Sequence, residues 1–366
     1  MAKITIVLHD LRGGGAEKMM VRLANQLATD GDEVSMILIS KGGVNKPYLS
    51  DKVNLFELKC KRTLSAFGPL RRQLKTINPD GILAVLTHIN VITAVVAFSL
   101  GWIKKLSVSE RNAFSLDKKV NSNFVMKTAY GLAPFVYRFL PKPVIAVSQG
   151  VAKDLVDTTV VKQKNVITAP NPVITEELKR LALEPASHPW LLNKKAPVIV
   201  AIGRLSYQKG FDMLLDAFYK VRKQIECRLV IFGEGDLRQK LNEQIRSLNL
   251  ESDVSLPGYS ENVIAELNYC DLYVLSSRFE GSPNAIVEAM AVGTKVVAFD
   301  CPHGARDILH HGKLDYLVTY LDVDKLAGAM VDALNQKDFN KEAQIDAVKC
   351  FEASNSAQVY RELILS

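Results

Sequence analysis

The sequence is poor in cysteine and has no long hydrophobic run. Its five cysteines stand far apart, at positions 60, 227, 270, 301 and 350, and none forms a C-x-x-C pair. This spacing favours reduced, packed thiols in a cytosolic protein over a zinc cluster. His310 and His311 are adjacent, so they would point in different directions, and we expect no metal site. The longest apolar stretch, 89–103, is shorter than the roughly 20 residues that cross a bilayer, so we expect a buried core helix there.

Acidic residues are scarce in the first half of the chain. Residues 1–185 contain 26 Lys or Arg and 15 Asp or Glu, a net charge of +11, whereas residues 186–366 contain 20 and 24, a net charge of −4. Such an asymmetry indicates an anionic partner of the first half: nucleic acid, an anionic membrane surface or a phosphorylated acceptor. A basic surface that serves only solubility is the alternative. Basic residues without a reading module are weak support for nucleic acid, which we exclude as a partner.

Short apolar strands alternate with helical segments along the chain. One series starts at "KITIVL" and a second at "VIVAIG", and residues 171–197 between them contain four prolines. The alternation predicts an α/β fold with two Rossmann-like, doubly wound parallel-sheet domains that face each other across a cleft. We predict domains at 1–172 and 197–349, a linker at 173–196, and a C-terminal helix at about 350–366 that packs on the first domain. A ligand is then expected at the carboxyl ends of the strands.

The stretch "RGGGAEK" (12–18) follows the first strand. A dinucleotide site needs the spacing G-x-G-x-x-G and an acidic residue at the end of the second strand, and both are missing here. A tight turn would need only one glycine. Three consecutive glycines before a helix therefore favour the close approach of a ligand, with amides that can bind an anion.

Two cations follow the first strand of the second domain. Arg204 and Lys209 lie within "GRLSYQKGFDMLL" (203–215), between that strand and the next helix. At the carboxyl end of a parallel sheet such a pair can clamp a diphosphate and neutralise the charge of a leaving group. The alternative is a pair of surface charges in a loop.

The stretch "SRFEGSPNAIVEAMAVG" (277–293) combines a helix start with two carboxylates. We predict Ser282 as the N-cap and Pro283 as the first helical residue. Free amides near 281–284 could then hold phosphate oxygens. Glu280 and Glu288 would flank that anion site and accept hydrogen bonds from vicinal hydroxyls, as a nucleotide sugar requires. A capping Glu280 and an exposed Glu288 are the alternatives.

Together these motifs resemble the retaining glycosyltransferases of the GT-B fold, in the large family 4 type of bacterial polysaccharide, lipopolysaccharide and glycolipid enzymes. The matching elements are "GGGAE", "GRL…QKGFD", "LPGY" and the Glu-x7-Glu pair of "FEGSPNAIVEAMAVG", which occur in the family's order over essentially the whole chain.

The resemblance implies roles for individual residues. The residues implied in catalysis are His88, Arg204, Lys209 and Glu280. Glu280 would bind the donor sugar, and His88 would lie near the reacting carbon. Donor binding falls to Gly14, Gly15, Gly203, Gly258, Gly281, Ser282, Pro283, Asn284 and Glu288, with Glu288 on the ribose. Acceptor binding falls to the first domain, with Glu17 and Arg111 as candidates.

The resemblance also implies the reaction. A UDP-sugar would donate a hexose or N-acetylhexosamine, with retention, to a hydroxyl of a glycan or lipid-linked glycan, and the leaving diphosphate would help to deprotonate that hydroxyl. No metal or other cofactor is expected. The segment "CPHGARDIL" (301–309) is similar to one in members that use N-acetylgalactosamine, galactose or glucose, although His303, Ala305 and Asp307 depart from it, as does Asp315-Tyr316 further on.

A basic stretch with interleaved aromatics lies at 117–143. It contains Lys118, Lys119, Lys127, Arg138 and Lys142 together with Phe124, Phe135, Tyr137 and Phe139. It could lie on anionic lipid, or it could be a core helix with solvated lysines. We accordingly expect a cytoplasmic enzyme, either freely soluble or peripheral on the inner face of the cytoplasmic membrane. A nucleotide-sugar epimerase or hydrolase, or a binding protein without turnover, are the alternatives in function.

Overall fold

The chain divides into two compact units. The computed structural model describes residues 1–120, 124–309 and 316–366. The first unit comprises Met1–Val173 and Cys350–Ser366, and the second comprises Ile174–Lys349.

The first unit is built on a parallel sheet. Its seven strands are β1 (Lys3–Leu8), β2 (Glu33–Leu38), β3 (Asn54–Glu57), β4 (Gly81–Val85), β5 (Leu106–Glu110), β6 (Val144–Ala146) and β7 (Val166–Thr168). Its helices up to residue 158 are α1 (Gly15–Thr29), α2 (Phe67–Ile77), α3 (Thr87–Leu100), α4 (Phe114–Val120), α5 (Phe124–Phe139) and α6 (Gln149–Thr158). The strand order β3-β2-β1-β4-β5-β6-β7 is doubly wound, with the direction of winding reversing between β1 and β4. The loops after these two strands therefore lie side by side at the carboxyl edge.

Residues 89–103, the longest apolar run, supply a core helix, as predicted. Most of α3 is buried, including Ile89, Val96 and Ala97, and α3 packs against the sheet beside α2 and α5. No helix in the described part of the chain is long and apolar enough to cross a membrane.

The second unit is also a doubly wound parallel sheet. Its helices are α7 (Glu176–Ala182), α8 (Pro189–Leu192), α9 (Phe211–Arg222), α10 (Arg238–Ser247), α11 (Val263–Tyr269), α12 (Asn284–Ala291), α13 (Ala305–Ile308), α14 (Val323–Asn335) and α15 (Lys341–Ala347). Its strands are β8 (Val198–Ile202), β9 (Arg228–Phe232), β10 (Val254–Gly258), β11 (Leu272–Leu275), β12 (Val296–Phe299) and β13 (Tyr316–Val318). The order is β10-β9-β8-β11-β12-β13, so the winding reverses between β8 and β11.

The segment 173–196 differs from the linker that the sequence predicted. Apart from its first residue it belongs to the second unit and carries α7 and α8. The buried carboxylate of Glu266 on α11 accepts a hydrogen bond from the Ser187 amide at 3.0 Å, and Asn262 donates to the Leu181 carbonyl at 2.9 Å. Prolines gave this stretch the composition of a linker, but these long-range polar contacts fix it to the second unit.

The chain ends in α16 (Ala353–Leu365), which lies in the first unit against α1. Gly81 makes room for it, because a Cβ atom there would lie 2.4 Å from Ile364. The Arg361 guanidinium pairs with Asp32 at 2.7 Å, and the Ser107 hydroxyl donates to the Leu363 carbonyl at 3.0 Å. A helix from the far end of the sequence thus packs on the first sheet and on α1.

Candidate functional site

Two loops meet at the carboxyl edge of the second sheet, where its winding reverses. The loop after β8 spans 203–210, and the loop after β11 spans 276–283. The Ser276 hydroxyl donates to the Lys209 carbonyl at 2.9 Å, and the Arg278 amide donates to the Gln208 carbonyl at 2.7 Å. The two loops therefore form one hydrogen-bonded platform.

Arg278 links the loop after β11 to the loop after β8 and to α9, although the sequence analysis did not select it. Its guanidinium donates two hydrogen bonds to the Asp212 carboxylate, at 2.9 and 2.6 Å, and stacks 4.1 Å from the centre of the Tyr207 ring. The paired guanidinium holds the pKa of Asp212 below its ordinary value, against the opposing effect of burial. A signal was present, since Asp212 lies in the first turn of α9 and Arg278 lies three residues after the end of β11.

The structure brings two of the predicted residues into direct contact. The Lys209 ammonium lies 2.6 Å from the Glu280 carboxylate, which also accepts a hydrogen bond from the Ser277 hydroxyl at 2.6 Å. The Glu280 side chain is only 8% exposed and that of Lys209 is 22% exposed. Gly203 gives the lysine stem its space, because a Cβ atom there would lie 2.9 Å from the Lys209 Cε. Burial makes this ion pair weakly screened by water.

Arg204 is placed differently from Lys209. Its side chain is exposed and makes no hydrogen bond or ion pair with any residue that the structure describes. Lys209 is thus already neutralised by a carboxylate, whereas Arg204 is available to an anion from solution.

The helix after Glu280 begins later than the sequence predicted. Asn284 is the first residue of α12, the N-cap is Pro283, and Ser282 makes no capping hydrogen bond. The prediction of Ser282 as N-cap and Pro283 as first helical residue is therefore wrong. The reason is the ψ angle of 84° at Pro283, which keeps this residue out of the helical conformation. Pro283 packs against the loop that follows β12, where a Cβ atom on Gly304 would lie 2.8 Å from its ring.

The two carboxylates of the Glu-x7-Glu pair are both buried. Glu288 lies in the second turn of α12 and is 8% exposed, so it is not an exposed surface residue. Glu280 is 7% exposed, and its amide donates to the Pro302 carbonyl at 3.2 Å. The loop after β12 thus supports Glu280 from behind.

Gly258 lies apart from these residues. It ends β10, two strands from β8, and its carbonyl accepts a hydrogen bond from the Gly233 amide at 2.8 Å. A Cβ atom at Gly258 would lie 3.0 Å from the Glu234 carboxylate. His310, His311 and Asp315 lie outside the described residues.

The first unit has a cavity of about 210 Å³ at the carboxyl edge of its own sheet. It is lined by Leu86, Thr87, His88, Glu110, Arg111, Asn112, Asp117, Met126 and Tyr130. The lining residues end β5, follow β4 or β5, or lie on α3, α4 and α5. His88 and Arg111, both predicted as site residues, therefore share one cavity.

His88 is held in a mostly buried position. Its ring lies edge-on to that of His9, with 5.2 Å between the ring centres. Burial, together with the neighbouring His9, lowers the pKa of His88 to about 4, so the ring is uncharged at neutral pH. The residue two before it, Leu86, has a φ angle of 81°, a strained conformation for a branched side chain.

Glu110 is a second buried ionisable group of this cavity, and the sequence analysis did not select it. Its carboxyl group lies 3.0 Å from the Thr87 hydroxyl and 3.3 Å from the Asn90 amide, and the Tyr137 hydroxyl also donates to it. Burial raises the pKa of Glu110 to about 7 despite these hydrogen bonds. A polar last residue in a buried strand was the only available signal.

Arg111 is buried and bonded within the first unit. Its guanidinium donates to the Tyr360 hydroxyl at 2.8 Å and to the Asn171 side chain. Glu17 lies over the start of α1, where a Cβ atom on Gly14 would collide with its carboxylate, and burial raises the pKa of Glu17. Gly15 is the first residue of α1. The glycine loop therefore makes room for the protein's own carboxylate.

Metal ligands do not cluster in the described ranges 1–120, 124–309 and 316–366. No group of three or more His, Cys, Asp or Glu side chains there could hold a metal ion. Asp322 and Asp324 have the spacing Asp-x-Asp, but Asp322 caps α14 and Asp324 pairs with Lys220.

Comparisons with known proteins identify the family of this two-unit chain. Residues 196–336 match the family described as glycosyl transferases group 1, and residues 13–177 match glycosyltransferase family 4. The chain is 30% identical, over 74% of its length and 68% of the relative's, to an uncharacterized glycosyltransferase of Methanocaldococcus jannaschii. The chain belongs to the glycosyltransferases of this family. The predicted family and the prediction of a transferase enzyme are confirmed.

Another relative is named for its activity. It is the N-acetylgalactosamine-N,N'-diacetylbacillosaminyl-diphospho-undecaprenol 4-alpha-N-acetylgalactosaminyltransferase of Campylobacter jejuni, 27% identical over 87% of this chain and 86% of the relative.

The fold of this glycosyltransferase matches solved structures. The Anabaena protein HepE in complex with UDP superimposes with a TM-score of 0.79 over 99% of both chains, at 20% identity. At that identity the likeness shows the fold alone. The predicted α/β, GT-B fold is confirmed.

Proposed function

We propose that this glycosyltransferase moves a hexose or N-acetylhexosamine from a UDP-sugar to a hydroxyl of a lipid-linked or surface-polysaccharide acceptor, with retention at the transferred carbon. N-acetylgalactosamine, galactose and glucose are the proposed sugars. A solved structure and a relative support the proposal: the Anabaena protein HepE, which has a similar fold, binds UDP, and the Campylobacter jejuni relative is named as an N-acetylgalactosaminyltransferase that acts on a diphospho-undecaprenol glycan.

The observation that carries the proposal is the contact between Lys209 and Glu280 at the winding reversal of the second sheet. This contact places a cation suited to a diphosphate beside a carboxylate suited to sugar hydroxyls, only 2.6 Å apart. Glu288, on the helix α12 that follows this loop, adds a second buried carboxylate, suited to the ribose hydroxyls. A nucleotide sugar contains all three groups, with the diphosphate between the sugar and the ribose.

Charge neutralisation is the main chemical contribution that these residues can make. The bond from the sugar's anomeric carbon to the diphosphate oxygen breaks, and the acceptor oxygen forms a new bond to the same carbon. Lys209 and the solvent-exposed Arg204 would stabilise the negative charge that grows on the diphosphate. The acceptor's proton would pass to the leaving diphosphate, so no protein nucleophile is required. No metal is included in this scheme.

The first unit is the proposed acceptor-binding part. Its cavity beside His88 offers hydrogen-bonding groups, and the uncharged imidazole can donate or accept a hydrogen bond near the reacting carbon. Arg111 and Glu17 would act from the walls of this region. A lipid-linked acceptor further implies peripheral contact with a membrane.

An acceptor-dependence assay tests the class of reaction. The purified protein is offered UDP-glucose, UDP-galactose and UDP-N-acetylgalactosamine, each with and without a bacterial lipid extract as the source of acceptor. We expect UDP release that depends on the extract for one of these donors. An altered free sugar without extract would instead support epimerisation or hydrolysis, and saturable UDP binding without turnover would support a binding protein.

Variants test the site. Lys209→Met and Glu288→Gln should each lower transfer by about a hundredfold or more, because each removes a group that contacts the donor. Lys220→Met, which removes a half-exposed lysine of the same unit that pairs with Asp324, is the matched control and should keep full activity. Turnover near that of the wild type in both site variants would refute the assignment.

Glu280→Gln separates the two proposed contacts. The variant removes the carboxylate that neutralises Lys209, so UDP alone should bind about tenfold more tightly. Transfer should nevertheless fall, because the sugar hydroxyls lose a charged acceptor. Isothermal titration with UDP and the transfer assay measure the two effects, and weaker UDP binding would contradict the proposed role of the pair.

A further inference from the structure

Two histidine rings of the first unit are in contact at the carboxyl edge of its sheet. His9 directly follows β1, and His88 is the second residue of α3, which follows β4. Because β1 and β4 are neighbours in the sheet, the rings meet edge to face, with 5.2 Å between their centres and 62° between their planes. An edge-to-face contact restricts the orientation of both rings. The sequence analysis selected His88 but not His9.

Hydrogen bonds fix the backbone on both sides of this contact. The His9 carbonyl accepts a hydrogen bond from the Ser40 amide, which follows β2, at 2.8 Å. On the other side, the Thr87 hydroxyl, one residue before His88, donates to the buried Glu110 carboxyl group at 3.0 Å. The separation of the two histidines is therefore set by the fold of the first unit.

One nitrogen of each ring has no hydrogen-bond partner. The Nδ1 atoms of His9 and His88 are both buried, and neither makes a hydrogen bond with any residue that the structure describes. A protonated imidazole carries an N–H group on each nitrogen, and a buried N–H group without an acceptor is costly. The surroundings of His88 therefore favour the uncharged ring. Because its Nδ1 is buried, the Nε2 atom is the nitrogen that can reach a ligand in the cavity that His88 lines.

The two rings differ in their distance from a carboxylate. Asp10 is almost fully buried, and its carboxylate lies 3.8 Å from the Nε2 atom of His9. Arg12 holds this carboxylate in place, with its guanidinium Nε at 2.6 Å and its backbone amide at 3.0 Å. A carboxylate so close favours a charge on His9, so we expect His9 to take up a proton before His88 does. A charged His9 then opposes a second charge on His88.

The pKa of His88 reflects the same contacts. Burial has the largest effect and His9 the next, and together they lower this pKa to about 4, whereas Asp10 raises it and Arg12 lowers it. Burial also lowers the pKa of His9, but there Asp10 opposes the effect of burial. The other ionisable groups around the cavity and the loop after β1 are Glu17 on α1, Glu110 at the end of β5, Arg111 after it, Asp117 on α4 and Tyr130 on α5. Among the charges that act on His88, that of His9 has the largest effect.

We propose that His9 is a positioning residue for sugar transfer: it fixes the His88 ring at the cavity and keeps that ring uncharged. The charge state matters because positive charge develops on the anomeric carbon as its bond to the diphosphate oxygen breaks. A cationic ring beside that carbon would oppose this charge, whereas an uncharged ring can donate or accept a hydrogen bond there. The inference rests on the proposed function in one respect, the place of His88 near the reacting carbon.

Histidine NMR tests the contact on the full chain without any substrate. The protein is labelled with carbon-13 at the histidine Cε1 position and titrated with acid, and the resonance of His88 is assigned by its absence from His88→Asn. The variant His9→Phe keeps an aromatic ring but cannot carry a charge, so in it the pKa of His88 should rise by about one unit. The control is Tyr48→Ser, which removes an exposed ring of the same unit and should leave the titration of His88 unchanged.

Transfer kinetics test the role of the contact in the reaction. His9→Ser removes both the ring and its charge, so kcat at neutral pH should fall about tenfold. The KM for the UDP-sugar should stay nearly unchanged, because the predicted diphosphate contacts of Lys209 and Arg204 are in the second unit. His9→Phe should recover part of the lost kcat, but its activity should decline about one pH unit earlier than that of the wild type on acidification. Tyr48→Ser should follow the wild type at each pH.

The outcomes separate this inference from the proposed function. An unchanged His88 titration in His9→Phe, together with a loss of transfer in His88→Asn, would overturn the inference and leave the proposed function in place. Equal kcat values for His9→Ser and Tyr48→Ser would also overturn it, and if His9→Ser does not fold, the titration and pH profile of His9→Phe still decide. Full transfer by His88→Asn would instead refute the proposed place of His88 and, with it, the role of His9.

Discussion

Two buried groups of the first-unit cavity, Glu110 and His88, should have opposite effects on the pH dependence of stability. Both effects can be measured by unfolding. Burial raises the pKa of Glu110 to about 7 in the folded chain, from its ordinary value of 4.5. Between these values the folded state holds the proton more tightly than the unfolded state does. The contribution of Glu110 to stability is therefore largest below pH 4.5 and falls by about 3 kcal/mol as the pH rises to 7.

His88 has the opposite effect. Its pKa is lowered from 6.5 to about 4, so between these values the unfolded state binds more protons than the folded state. Stability then rises by about 3 kcal/mol as the pH increases from 4 to 6.5. In the wild type the contributions of Glu110 and His88 should nearly cancel between pH 4.5 and 6.5.

Single variants should reveal each slope. In Glu110→Gln the free energy of unfolding of the first unit should rise with pH relative to the wild type, by about 3 kcal/mol between pH 4.5 and 7. In His88→Asn it should fall relative to the wild type over pH 4 to 6.5 by a similar amount. Urea unfolding is followed by the fluorescence of Trp102, which lies in the first unit, in a Trp190→Phe background that removes the tryptophan of the second unit.

The control is Asp51→Asn, which removes an exposed carboxylate of the same unit. Glu110→Gln and His88→Asn are each compared with the wild type at every pH. The titrations of all other groups are common to these three proteins and therefore cancel. Parallel pH profiles for the wild type and Glu110→Gln would refute the account of this cavity.

Three further predictions concern the second unit. Arg278→Lys loses the paired hydrogen bonds to Asp212, so the KM for the UDP-sugar should rise about tenfold while the unfolding of the first unit is unchanged. Gly210→Ala should lower the melting temperature of the second unit, because φ is 63° there and the new Cβ atom would lie 2.2 Å from the Ser276 carbonyl oxygen. Glu266→Ala should lower the free energy of unfolding of the second unit by about 3 kcal/mol and speed hydrogen exchange in α7 and α8, since it leaves the amide and hydroxyl of Ser187 without their carboxylate.

The contact between Lys209 and Glu280 could be predicted from the sequence in outline. Both follow strands of one parallel sheet, and the winding rule places the loops after its first strand and after the strand beyond the reversal next to each other. What the pattern could not supply was their pairing in a 2.6 Å contact, which depends on the space above Gly203 and on the Ser277 hydroxyl.

Other features depend on residues far apart in the chain. Arg111 was expected to meet an acceptor, and its hydrogen bond to Tyr360 comes from a helix 249 residues away. The partners of Glu110 include Tyr137, which the sequence analysis could not separate from Phe135 and Phe139. Helix spacing does not say which face is inward when both faces are apolar. The start of α12 was missed for a local reason, the ψ angle of Pro283, which is set by packing against the loop after β12.

The two units differ in the charge state of the groups at their candidate sites. This difference fits a charged ligand in the second unit and an uncharged one in the first. The second unit keeps a buried ion pair, Lys209 with Glu280, beside an exposed Arg204, so an arriving diphosphate can displace a carboxylate from a cation that is already in place. The first-unit cavity instead holds His88 uncharged and Glu110 close to half-protonated at neutral pH. An uncharged imidazole and a half-protonated carboxyl group can exchange hydrogen bonds with hydroxyls without first breaking an ion pair. A charged donor and a hydroxyl acceptor would therefore each meet the electrostatic environment that suits it.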